Sequence, residues 1–215
     1  MPLVDLSHVI EDGMVTYPGL PGPRISEHLT FDASRSHYAE GTQFAISRID
    51  MVANTGTYLD TPAHRFPGGH DLSALALERC ADLPAVVVDA GGSVTAHDLA
   101  GLDLVGTAVL LRTGWDAHWG TERYGDSDHP HLTGEAAQAL VEAGAILVGI
   151  DSVNIDATTT GERPAHTRLL GAGIPIVEHL TGLHHLPAAG ARFTAVPPSV
   201  RGMGTFPVRA FAIVP

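Results

Sequence analysis

Asp60 and His64 stand four residues apart in the segment Asn54-Thr55-Gly56-Thr57-Tyr58-Leu59-Asp60-Thr61-Pro62-Ala63-His64. Residues 42–52 alternate apolar and polar side chains and lead into this segment, which reads as strand, turn and loop, with Gly56 and Pro62 shaping the turn. A carboxylate and an imidazole presented at a strand end suit cation binding or proton transfer. Asp is a hard oxygen donor, and His changes charge near neutral pH. A second group comes later in the chain: Arg163-Pro164-Ala165-His166, then Ile174-Pro175-Ile176-Val177-Glu178. Glu178 follows an almost wholly apolar run, and a carboxylate on a buried strand is costly unless it is paired or metal-bound. Asp60, His166 and Glu178 could together hold Zn²⁺ or Mn²⁺ through oxygen and nitrogen donors. A plainer reading has Asp60 capping a turn, His166 solvated and Glu178 paired with an arginine; spacing alone leaves both open.

The rest of the chemistry is defined mostly by exclusion. All twelve basic residues are arginines, so Schiff-base chemistry, a Walker lysine and a lysine base are absent. One cysteine, Cys80, excludes an internal disulfide or a Cys-cluster metal site and reads as a packing residue. No GxSxG elbow, HExxH helix, GxGxxG fingerprint or P-loop is present. A net charge of −12 has the wrong sign for nucleic acid. Tyr17, in a Gly/Pro-rich loop, suits either a pocket aromatic or a turn packer. Trp115 and Trp119 are placed to cover the core or a pocket mouth. His129, His131, His184 and His185 fall in polar loops and are expected to be solvated. With no basic leader and no apolar run of bilayer length, the expectation is a cytoplasmic protein with no membrane partner.

These groups need elements to position them. Leu3 to Ile10 alternates like a short strand, and Glu11–Pro23 is an irregular loop. Leu72 to Arg79 reads as helical, and Thr95 to Ala100 opens like a helix with Asp98 in a capping-box position. Pro84–Asp89, Thr107–Arg112 and Ala145–Ile150 are buried strands, and Leu132-Thr133-Gly134-Glu135 opens a helix before the last of them. Residues 166–172 suit a short helix, Ile174–Leu180 a strand, and Arg192–Val196 and Val208–Val214 two more. The size and composition fit one α/β domain over residues 1–215.

Several motifs then carry a resemblance. Asp5-Leu6-Ser7-His8, Glu11-Asp12-Gly13-Met14, Tyr17-Pro18-Gly19, the GTYLDTPAH segment, LLRTGW at 110–115, VGIDSVNID at 148–156, LLGAGIPIVEHL at 169–180 and FPVRAFAI at 206–213 resemble the cyclase family of metal-dependent hydrolases. That family includes bacterial kynurenine formamidase and isatin hydrolase. The resemblance spans nearly the whole chain in order. It implies a swivelling β/β/α domain with a mixed sheet and flanking helices, assembled as a homodimer or homotetramer. The family hallmark is similar to His-x-Gly-Thr-His-x-Asp-x-Pro-x-His, and here Asn54 and Tyr58 stand at the first two histidines.

Carried over residue by residue, the resemblance implies Asp60, His166 and Glu178 as metal ligands, His64 as the proton carrier and Tyr17 as a substrate-packing aromatic. The two replaced histidines serve one site of a binuclear pair, so one divalent ion or none is expected. The leading expectation is hydrolysis of a small amide, formamide or lactone. A metal-bound water would attack, His64 would be general base and acid, Tyr58 would donate to the oxyanion, and Asn54 would orient Tyr58 or the water. A second expectation is a metal-independent cyclase, dehydratase or isomerase with Tyr58 and His64 as the acid/base pair. A third is a non-catalytic binder of a small molecule.

Overall fold

Apolar runs without alternation, as in Pro84–Asp89 and Thr107–Arg112, belong to strands covered on both faces. In the computed structural model, which describes all 215 residues, they form the middle of a nine-stranded sheet. The strands in chain order are β1 (Leu3–Asp5), β2 (Arg24–Leu29), β3 (Ile46–Asp50), β4 (Tyr58–Asp60), β5 (Leu83–Asp89), β6 (Ala108–Arg112), β7 (Leu147–Ile150), β8 (Ile176–Glu178), β9 (Ala189–Thr194), β10 (Thr205–Pro207) and β11 (Phe211–Ile213). The helices are α1 (Phe31–Ser34), α2 (Pro62–Arg65), α3 (Gly134–Glu142) and α4 (Pro164–Gly171). The large sheet runs β1-β11-β9-β5-β6-β7-β8-β4-β10, while β2 and β3 pair only with each other. Strands β5 to β8 are parallel and all other pairings antiparallel, giving the mixed α/β sheet the sequence implies.

Successive strand residues feed opposite cores. Val87, Leu110 and Val177 pack with Leu6 and Phe193 on one side, in a cluster of 20 buried residues. Val88, Val109, Leu111 and Ile176 pack beneath α3 and α4 on the other, in a cluster of 19. Two cores of equal weight make the sheet the central layer and hold its strand ends rigid.

The local expectations differ from the structure at several places. Leu72–Arg79 is not one helix but two 3₁₀ turns, Leu72–Ala74 and Leu77–Arg79, separated by extended backbone at Leu75 and Ala76. Eight residues are too few to nucleate a helix unaided. Asp71 instead accepts from Ser73 and from the Gly202 N–H, tying the segment to a distant loop, while Leu72 and Cys80 enter the core separately. Thr95 makes its capping bonds to Asp98, both at 2.7 Å, but the chain turns away without continuing into a helix. His129 is not solvated: it is 1% exposed and bonded to Ser152 and Thr158. The first strand ends at Asp5, β9 covers Ala189–Thr194 and β11 only Phe211–Ile213, each shifted or shorter than its pattern. No helix is long and apolar enough to cross a membrane.

Candidate active site

Register places the central side chains. β4 lies antiparallel to β8 with Tyr58 opposite Glu178 and Asp60 opposite Ile176, so Tyr58, Asp60 and Glu178 share one face while Leu59 and Val177 enter the core. β10 lies on the other side of β4 with Thr205 opposite Asp60. The Thr205 hydroxyl hydrogen-bonds to Asp60 Oδ1 and lies 2.8 Å from His64 Nδ1. Because a carboxylate only accepts, the hydroxyl proton goes to Asp60 and His64 Nδ1 must donate. In the neutral ring that tautomer leaves the lone pair on Nε2.

His64 rides on α2, which starts at Pro62 directly after β4 and turns the imidazole back to within 3.6 Å of Asp60. That turn presses on the chain before β10. A Cβ on Gly204 would overlap the backbone of Ala63 and come within 2.6 Å of the His64 Cα. Gly204 is therefore what lets the His64 turn sit against β10.

His166 arrives from the first turn of α4, where Pro164 supplies a preset φ and no N–H. Asp156 accepts from the backbone N–H of Ala165 and His166 and, at 2.6 Å, from His166 Nδ1. It both caps the helix and fixes the ring, directing Nε2 toward Asp60 Oδ2 and Glu178 Oε1, each 3.8 Å away. Burial alone would lower the His166 pKa. The bond to Asp156 and the neighbouring carboxylates of Asp60 and Glu178 instead hold it up to about 10. Against burial, the imidazole and the two N–H groups keep Asp156 below the ordinary carboxylate range.

Glu178 is buried, which pushes its carboxyl above the usual range. Its oxygens accept from the Tyr58 hydroxyl and the Ile155 N–H, both at 2.6 Å, not from an arginine. Burial, and then the charges of Glu178 and Asp60, raise the Tyr58 phenol well above its normal value, so it stays protonated. The nearby Asn54 amide opposes that rise. The hydroxyl expected to face an oxyanion, or to pair with His64 as an acid, is thus engaged on Glu178. That disfavours the metal-independent reading.

Behind Tyr58 lies a residue without a signal in the spacing. His179 is fully buried at φ 57°, rare for a non-glycine residue. Its Nδ1 is 2.8 Å from the Tyr124 hydroxyl and its Nε2 3.3 Å from that of Tyr58. Burial, with the charges of His8 and His129, depresses it to about 3, so it is a neutral spacer between two phenols. Asp156, Thr205 and His179 all escaped the reading of the sequence, although Asp156 and His179 fall in quoted motifs.

The donors suit a cation. Asp60, His64 and His166 each offer a ligand atom within 4.8 Å of the others. Asp60 Oδ2 is buried without a hydrogen-bond partner, an unsatisfied acceptor of the kind a metal ion fills. Three buried carboxylates, Asp60, Asp156 and Glu178, surround a single imidazole. Asp60 and His166 are common to this cluster and to the expected ligand set; the third place lies between Glu178 and the exposed His64. The group opens on a cavity of about 420 Å³ that also bears Tyr17, Asn54, Arg65 and Arg163. Trp119 does not line it but stacks on His8 at 3.8 Å beside a separate cavity of about 830 Å³.

Residues 4–157 match the Cyclase family, described as "Putative cyclase". The chain belongs to the Cyclase family. The match ends before α4 and β8, which bring His166 and Glu178 to the site. Curated relatives span the full length: kynurenine formamidase of Bacillus cereus is 27% identical over 210 residues, covering 96% of this chain and 95% of the relative. The same enzyme of Geobacillus thermodenitrificans is 29% identical over 213 residues, covering 97% and 96%. Among solved structures, isatin hydrolase A from Labrenzia aggregata superposes with a TM-score of 0.84 at 25% identity, covering 99% of this chain and 93% of that one. A potential metal-dependent hydrolase with cyclase activity gives 0.80 at 26%, covering 98% and 96%. Family membership thus accounts for the mixed sheet and supports a divalent ion at the Asp–His cluster.

Proposed function

We propose that the chain is a cation-dependent hydrolase of a small amide, formamide or lactone. The carrying observation is the unpartnered buried Oδ2 of Asp60, facing His166 Nε2 across 3.8 Å. Relatives named kynurenine formamidase and isatin hydrolase support the reaction class. Asp60, His166 and Glu178 hold the ion, Zn²⁺ or Mn²⁺, which supplies Lewis-acid polarisation of the carbonyl and acidification of water. His64 Nε2, exposed to the cavity, takes a proton from the attacking water and returns it to the departing nitrogen or oxygen. Asp156 keeps His166 in one tautomer. Tyr58, backed by His179 and Asn54, holds Glu178 in place. With a phenol and an amide where a second ion would need imidazoles, the chain binds a single ion.

Tyr17 packs on the organic part of the substrate, and Arg65 at the rim of the same cavity suits a substrate bearing a carboxylate, while the Arg163 guanidinium is held on the carbonyls of Ala157, Thr160 and Glu162. The −12 net charge supports a small molecule rather than nucleic acid as partner, in a cytoplasmic protein. The test is turnover of a panel containing the formamide of kynurenine, isatin, and neutral anilides and lactones by metal-loaded protein. Hydrolysis of one or more of them is expected. Tight binding of a panel member with no turnover of any would contradict the proposal and identify a binding protein.

A further inference from the structure

Strand β7 ends at Ile150, and the segment that leaves it, Asp151 to Asp156, packs almost wholly inward: every residue is buried except Asn154. The segment is fixed at both ends. Asp151 accepts from the backbone N–H groups of Thr113 and Gly114 at 2.8 and 2.9 Å. The Ile155 N–H donates to Glu178, and Asp156 caps α4 and holds His166. Between these anchors the half-buried Asn154 side chain lines the cavity that holds His64, His166 and Glu178. Its Oδ1 accepts the Asp156 N–H at 2.9 Å, closing an Asx turn. An amide nitrogen does not accept hydrogen bonds, so this contact decides which end of the side chain is occupied. The NH₂ is the end left for the cavity, and no group of the chain accepts from it.

We infer that Asn154 donates a hydrogen bond to the carbonyl oxygen of the substrate as that oxygen takes on negative charge, an inference that rests on the hydrolase reading above. The other donors of the cavity are committed or loosely placed. The Tyr58 hydroxyl is held on Glu178, and the Arg163 guanidinium on three backbone carbonyls. Asn54 sits against the Tyr58 phenol, Tyr17 packs its ring on the Trp115 cluster from an irregular loop, and Arg65 is exposed at the rim. Asn154, in contrast, directly precedes the N–H that holds Glu178 and lies two residues before the carboxylate that holds His166. A donor fixed in this way needs no reorganisation when charge develops. As water adds to the carbonyl carbon, the π-electron pair moves onto the oxygen facing the Asn154 N–H, and the water's proton passes to His64. Collapse returns that pair to the C=O bond and breaks the bond to the leaving nitrogen or oxygen, which takes the proton back from His64. The amide itself gains and loses nothing, so its contribution does not titrate.

Two substitutions separate donation from position. In Asn154→Asp one carboxylate oxygen still accepts the Asp156 N–H, but the end facing the cavity can only accept. Asn154→Ala removes both ends and adds no charge. Kinetics of metal-loaded protein on the panel member that the native chain hydrolyses fastest give the comparison. Both variants should lose about 10²–10³-fold in kcat, the range of one lost oxyanion donor. KM should stay near the native value, because the bond strengthens only as charge develops, and the bound ion per chain should be unchanged. Native kcat in Asn154→Asp would reduce the residue to a turn former, and native kcat in Asn154→Ala would leave it no part at all. Loss of the ion in Asn154→Ala would place the effect in the support of His166 and Glu178. Each of these three results overturns the assignment and leaves the hydrolase reading standing. A native protein that hydrolyses no panel member overturns that reading, and the assignment with it.

Discussion

His64 and His166 look alike in the sequence, yet the structure sets them in different surroundings. His166 is buried and pinned by Asp156; the side chain of His64 is 33% exposed and free at Nε2. His64→Ala should keep the ion at its full stoichiometry while turnover falls about 10²–10⁴-fold, the range of a lost general base. Metal analysis beside kcat checks this; loss of the ion with the imidazole would make His64 a ligand instead. Asp156→Asn should act through His166, weakening metal affinity about 10–100-fold, as read by competition with a chelator. His179 governs acid stability. Held near 3 in the fold against about 6.5 when unfolded, it takes up its proton in the unfolded chain first. Stability therefore drops as pH falls from about 6.5 toward 3, by up to about 1.4 kcal/mol per pH unit. His8, lowered to about 4 by burial against an opposing Asp116 charge, adds to the upper part of that window. Thermal melts at pH 7 and 5 should show the loss, and His179→Asn, which tolerates the positive φ, should shrink it.

Elements decide how much of this could be read beforehand. β5, β6 and β7 were legible because strands covered on both faces are continuous apolar runs, and α3 and α4 because their start signals are local. Asp60 and His64 were legible because a strand end and one helical turn bring neighbours in sequence into contact. Thr205 was not, since its bond to Asp60 spans 145 positions and depends on the β4–β10 register. β3 falls inside the alternating run 42–52, but its partner β2 was hidden by a bulge between Glu27 and Leu29 that breaks the alternation of RISEHL. Gly204 supplies the test at this scale. Gly204→Ala forces β10 away from the α2 turn, and the cost should be about 1–3 kcal/mol, with a lower Tm and a drop in kcat as His64 moves off Asp60 and Thr205.

At the scale of the molecule, the sheet is a rigid layer between two cores, and the site gathers strand β4, strand β8 and the first turns of α2 and α4 along one edge region of it. Three buried carboxylates around one imidazole leave that region short of positive charge, so the bound ion should contribute to folding as well as to chemistry. Removing it should lower Tm, and restoring it should raise Tm with a dependence on metal concentration. The most direct test of the central claim is the rate of amide hydrolysis measured against bound divalent ion in one series of partly reloaded samples. The account predicts a rate proportional to occupancy, saturating at one ion per chain and vanishing as occupancy approaches zero. Undiminished turnover in samples verified free of metal would contradict it.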